Sequence, residues 1–158
     1  MSDSQNNDIQ QAEEIVVRLL ARREHSAREL QQKLQLRGFD HKTIEKVLTK
    51  AQQLGWQSDQ RYLEVWLRSC LARGDGIQKI RAAAAQKGIQ GELLEQALQD
   101  QEPDWVEQCY ERLVRRFGHT PPQDPKERNR IMRHLMQRGY RLDQIQQALE
   151  RQRMAASD

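Results

Sequence analysis

Four histidines, two cysteines and a set of clustered arginines are the side chains of this 158-residue chain whose types could carry chemistry. His25, His41, His119 and His134 are scattered, and none stands beside a carboxylate or thiol at the spacing of a general base or a metal-ligand set. Cys70 and Cys109 lie far apart without a CxxC or CxxH neighbourhood. That suits two small core residues in a reducing compartment better than a disulfide or a zinc site. Gly74-Asp75-Gly76 lacks the Lys-Ser/Thr of a phosphate-cradling loop and reads as a helix break. The chain is expected to be a non-enzyme with no catalytic residue, cofactor or metal.

What remains is positive charge. The net charge of +3 is mild, but from Glu111 to Arg153 there are eleven Lys/Arg against five Asp/Glu. A basic C-terminal third on a near-neutral body points to a polyanion or an acidic protein surface as partner. Arg18, Arg22 and Arg23 close one expected helix, and Arg68 and Arg73 take comparable places in a second. In a third, Arg112, Arg115 and Arg116 are three to four residues apart and share one side. Lys126, Arg128, Arg130 and Arg133 follow. These twelve are the candidate partner-binding residues. Solvation, helix-end dipoles and i,i+4 pairs are the competing roles for each.

The elements that position them follow from a repeat. Gly38, Gly88 and Gly139 are spaced 50 and 51 residues apart. Eight and four residues before each stand Leu30 and Leu34, Ile80 and Ala84, Ile131 and Leu135. One residue after come Phe39, Ile89 and Tyr140, and six after come Ile44, Leu94 and Ile145. Apolar residues four apart share a helix face, and glycine supplies the left-handed residue that ends the helix in a Schellman turn. Arg37, Lys87 and Arg138 just before the glycines suit the negative helix end. Ser26 with Glu29, and Asp124-Pro125 with Glu127, mark helix starts as capping boxes.

A further helix precedes each such pair: Ile15 to Arg23, Asp59 to Arg73 and Asp104 to Phe117. The expected fold is all-α, with three tandem three-helix repeats forming an elongated, curved array. The repeats span 9–55, 56–103 and 104–153, with disordered ends at 1–8 and 154–158. No apolar run approaches the ~20 residues of a membrane span, and the first residues are polar, so a cytoplasmic monomer away from membranes is expected.

Helices joined by glycine turns also raise DNA reading by a helix-turn-helix. The segments after the glycines, such as Gln90-Gly91-Glu92-Leu93-Leu94-Glu95, are neutral to acidic, the wrong bias for facing phosphates. Aromatic residues are scarce and do not alternate with basic ones, which speaks against a base-stacking single-strand binder. The alternative kept open is a helical DNA-binding protein acting through the basic C-terminal repeat, with no protein partner.

Taken in order, the short motifs resemble a known family. Leu20-Ala21-Arg22-Arg23-Glu24-His25-Ser26-Ala27-Arg28-Glu29-Leu30 with Arg37-Gly38-Phe39 is similar to the opening of the bacterial regulatory protein RecX family. Leu54-Gly55-Trp56, Asp59, Tyr62, Trp66, Arg68, Gly74, Gly76 and Lys87-Gly88-Ile89 resemble its middle block. Arg116-Phe117-Gly118 and Arg138-Gly139-Tyr140 resemble its closing repeat, so residues 12–150 are covered. Ile77 stands where that family often has Pro, and Ala84 where a larger apolar residue is usual. The resemblance implies a modulator of the RecA recombinase in DNA repair and the SOS response. Such a protein binds RecA and its DNA filament and restrains ATP hydrolysis, strand exchange and coprotease activity, with at most weak binding to DNA alone.

Overall fold

The computed structural model describes residues 2–158, and Met1 lies outside the described residues. Among these are nine helices and no strand. The first triplet is α1 (Asp3–Arg22), α2 (Ala27–Leu36) and α3 (His41–Gln53). The second is α4 (Asp59–Ala72), α5 (Ile77–Gln86) and α6 (Gly91–Gln101). The third is α7 (Trp105–Phe117), α8 (Pro125–Gln137) and α9 (Leu142–Ser157). The expected all-α fold of three-helix repeats is the observed one.

The chain divides into two compact units. One holds the chain through Val65 together with Lys87–Ile89, and the other holds Trp66–Gln86 and Gln90–Asp158. In the first, α1 packs on α3 and α2 on α3 around Val16, Leu30, Leu34, Ile44 and Val47. In the second, α7 packs on α8 and α9 around Cys109, Leu113, Ile131, Leu135, Tyr140 and Ile145. These are the apolar positions at three- and four-residue spacing, which place one stripe of each helix inward.

The repeated glycines end helices as their spacing requires. Gly38, Gly88 and Gly139 have φ of 90°, 72° and 97°, in the left-handed region. Phe39 N donates to Leu34 O at 3.3 Å and Gly38 N to Gln35 O at 3.0 Å. Tyr140 N donates to Leu135 O at 3.2 Å and Gly139 N to Met136 O at 2.9 Å. Each pair is the 6→1 and 5→2 bonding of a Schellman turn. Gly74 closes α4 in the same way, with Asp75 N donating to Cys70 O at 3.0 Å.

The helix starts also hold, with one shift. Ser26 and Glu29 form both bonds of a capping box. Asp124 caps α8 through Glu127 N, with Pro125 at the first helical position. The Glu127 side chain, however, takes the N–H of Gln123 at 3.2 Å rather than that of Asp124.

α1 begins at Asp3, where Ser2 Oγ accepts from Gln5 N at 3.3 Å. Ala12 is fully buried with Val16, and Glu13 pairs with Lys50 of α3 at 3.0 Å, so the first turns of the helix lead into real packing. At the other end α9 runs to Ser157. Gln152, 1% exposed, donates from its amide to Gly118 O at 2.9 Å and fixes α9 beyond the last apolar repeat position.

The glycine turns carry a second constraint. A Cβ at Gly139 would lie 2.5 Å from Lys79 Cβ and 2.6 Å from Lys79 N, whereas one at Gly38 would meet nothing within 4 Å. Gly38→Ala should therefore cost only the left-handed penalty, about 1–2 kcal/mol. Gly139→Ala adds overpacking of about 1–3 kcal/mol to the same penalty. Urea melts of the two variants measure the difference, and equal losses would show that the close approach at Gly139 carries no weight.

Candidate partner-binding surface

A cleft in the second compact unit, about 640 Å³, is open and lined by Ile77, Leu98, Trp105, Arg81, Glu95 and Arg141 among others. Its charges are tied to each other or to neighbours, Arg81 to Glu95 at 3.0 Å and Arg141 to Asp143 at 3.4 Å. No nucleophile faces a base there. Both cysteines are buried, and burial pushes the Cys109 thiol up to about 12, where it stays protonated and inert.

The twelve basic candidates do not form one group. Arg18 and Arg22 are exposed on α1. Arg23 ends that helix and grips Glu29 at 2.9 and 3.4 Å, which raises the guanidinium pKa and bolts the arginine to the α2 capping box. All three belong to the first compact unit. Arg68 is exposed on α4. Lys126, Arg128, Arg130 and Arg133 are exposed on α8, and Arg130 lies over the Phe117 ring at 5.6 Å from its centre.

Arg73, Arg112, Arg115 and Arg116 do come together. The end of α4 and the side of α7 form a crevice lined by Leu71, Gly74, Gln108, Glu111, Arg112 and Arg115. Arg112 Nε donates to His134 Nε2 at 3.3 Å, and the His134 ring meets Phe117 edge-on at 5.4 Å. Burial, then the like charges of Arg138, Arg115 and Arg116, hold the Arg112 guanidinium below its ordinary pKa. Arg73 Nη2 reaches Asp75 at 3.1 Å.

Sequence reasoning missed the residues that join this cluster. Asp75 is buried and also pairs with Lys79 at 3.3 Å and with Arg138 at 3.0 Å. Arg138 Nη2 donates to Arg73 O at 2.7 Å, and Tyr140 OH donates to Gly74 O at 2.8 Å. Gly76 N donates to Arg138 O at 2.7 Å and Gln78 N to Gly139 O at 3.0 Å. The α4–α5 turn is thus clamped to the glycine turn after α8. The available signal was an acid between two glycines with cations two residues before and four after, but its partner Arg138 is 63 residues away.

Nine helices in three successive triplets define a protein of the tandem helical-repeat class. Models of the first, second and third three-helix domains of RecX match residues 12–50, 58–98 and 102–149. A protein of Chromohalobacter salexigens called regulatory protein RecX is 39% identical over 84% of this chain and 87% of its own. The Haemophilus influenzae protein of that name (strain PittEE) is 34% identical over 82% and 87%. The crystal structure of RecX from Lactobacillus salivarius shares the fold, with a TM-score of 0.80, 22% identity and coverage of 94% of this chain and 99% of that one. The chain belongs to the RecX family, whose relatives are named regulatory proteins rather than enzymes. Among the described residues no helix is long and apolar enough to cross a membrane.

Two buried or half-buried histidines predict a dependence of stability on pH. Burial first, then Arg112, Arg116 and Arg138, hold His134 below its ordinary pKa, and burial does the same to His25. Both are neutral in the fold at neutral pH, so on acidification the unfolded chain takes up protons first. Their contribution to stability is fully present above about pH 6.5 and is lost as pH falls through the lower folded-state values. The melting temperature should decline on acidification below about pH 6.5. His134→Gln, which keeps an acceptor for Arg112, should shallow that decline, and an unchanged slope would exclude His134 as a contributor.

Proposed function

We propose that the chain is a non-enzymatic regulator of the RecA recombinase that binds RecA and its DNA filament in the cytoplasm. Bound there, it lowers ATPase, strand-exchange and coprotease activity. The observation that carries this reading is the succession of all three RecX domains along the chain, in order and with no further domain among the matched residues. The physical character of the chain supports it. A protein that displays guanidinium groups on packed helices and offers no catalytic constellation acts by occupying a surface. A filament of protein and nucleic acid presents repeated negative charge for such a surface to meet.

The arginine cluster favours a second reading, direct binding to DNA without a protein partner. Arg112, Arg115, Arg116 and Arg138 repel one another and are incompletely compensated, as a phosphate-facing surface would be. Fluorescence titration with single-stranded DNA across salt concentrations separates the two. Tight binding with a steep salt slope in the absence of RecA would favour the second reading, whereas the first expects weak, salt-sensitive binding only.

The direct test of the first is the ATPase rate and strand exchange of RecA on single-stranded DNA with this protein added. Inhibition at saturating protein is expected, and unimpaired RecA at saturation would refute the proposal. Replacing Arg112, Arg115 and Arg116 together by Glu should weaken filament binding by at least about 10-fold. Helicity should be retained, because Arg115 and Arg116 are exposed and Arg112 is only half-buried. Full binding by that variant would move the functional surface elsewhere.

A further inference from the structure

The positive charges of the second compact unit are arranged in two ways. On α8, Lys126, Arg128, Arg130 and Arg133 are exposed along one helix beside Asp124 and Glu127. Around the α4–α5 turn the arrangement is built differently. The Asp75 carboxylate is 4% exposed and sits beneath three cations, Arg73 at 3.1 Å, Lys79 at 3.3 Å and Arg138 at 3.0 Å. Arg73 and Lys79 keep 59% and 45% of their side chains in solvent, while Arg138 keeps 21%.

One buried anion therefore fixes the direction of cations from three elements: the end of α4, the first turns of α5 and the end of α8. Arg112 joins them from α7, its Cδ, like Arg138 Nη2 and Tyr140 OH, lying just outside the space a Cβ on Gly74 would fill, at 3.8, 3.9 and 3.9 Å. Arg115 lines the same crevice. Arginine and lysine on a free surface surrender side-chain entropy when they bind an anion, and side chains already held surrender less. Each guanidinium paired on one edge still offers donors on another, so pairing with Asp75 does not exhaust it.

We propose that Asp75 is a positioning residue, which gathers Arg73, Lys79 and Arg138 into one fixed cationic surface with Arg112 and Arg115, and that this surface grips the polyanionic face of the partner. The proposal rests on the RecA-filament reading and adds the place and the means of contact. It also makes a counterintuitive demand. Removing a negative charge from a basic surface strengthens polyanion binding wherever charge alone counts. If Asp75 holds the cations in place, removing it weakens binding.

The test is titration of fluorescently labelled RecA–single-stranded DNA filaments with the full chain and its variants across salt concentrations. Asp75→Asn is expected to bind about 10-fold more weakly, with a shallower dependence on salt because fewer cations engage together. Asp75→Glu should restore much of the affinity. Tyr140→Phe cuts the hydrogen bond to Gly74 in the same clamp without touching a charge. It should lower the melting temperature and leave the salt slope unchanged, which separates positioning of charge from mere loosening.

Arg73→Gln and Lys79→Gln, both at exposed side chains, keep the question answerable if Asp75→Asn does not fold, and each should weaken filament binding. Tighter binding by a folded Asp75→Asn, or unchanged binding by both glutamine variants, would overturn the inference while inhibition of RecA by the unaltered chain stood. Failure of the unaltered chain to inhibit RecA would instead remove the functional reading itself.

Discussion

The structure depends on one backbone event, the entry of a glycine into the left-handed region after the second helix of each triplet. A residue with a Cβ could take that conformation at a modest cost. At Gly139 it would also have to displace Lys79, whose backbone N lies 2.6 Å from where the Cβ would be, and at Gly88 it would run into Arg28. The turn that closes α8 is thus also the seat for the start of α5. Gly76 completes the contact at Gly139 from the opposite side, with no room for a Cβ against Gly139 C at 2.3 Å. At Gly38 nothing approaches, so that turn has the first role without the second.

The close approach explains why a charged group can be buried beside it. Once Gly76 and Gly139 touch, Gly76 N and Gln78 N are spent on Arg138 O and Gly139 O. Asp75 is carried into the same junction and could not remain there alone, because an unpaired buried carboxylate is costly. Arg138, one residue before the glycine, is delivered to it by the same turn. The basic residue that precedes each repeat glycine suits the helix dipole in general, but at Arg138 the fold gives it a specific anion to hold. Local turn geometry and long-range ion pairing therefore have a single origin.

What could be read from the sequence was what is local. Leu34 with Phe39 and Leu135 with Tyr140 announce Schellman turns because the donor, the acceptor and the apolar contact lie within six residues. The Ser26–Glu29 box was legible for the same reason. Asp75 and Arg138 were not, since a contact over 63 residues leaves no periodic trace. Counting charge also does not show that Arg23, in a basic run, pairs with Glu29. Polar composition also hides Ser2 as a cap and the inward-facing Gln152.

The same distinction orders the candidate surface. A run such as Lys126 to Arg133 supplies charge along one exposed helix face, and exposed charge of that kind is screened over about a Debye length, ~8–10 Å. Around Gly74 the cations come from separate helices and are aimed by a buried counter-charge, so their mutual repulsion is built into the folded state and relieved only in part by Asp75. Burial first, and the neighbouring arginines second, lower the Arg112 guanidinium pKa and the His134 pKa. The junction that locks α5 to the turn after α8 thereby also delivers Arg138 and Lys79 to Asp75, so one turn geometry sets both the packing of two helices and the placement of their cations.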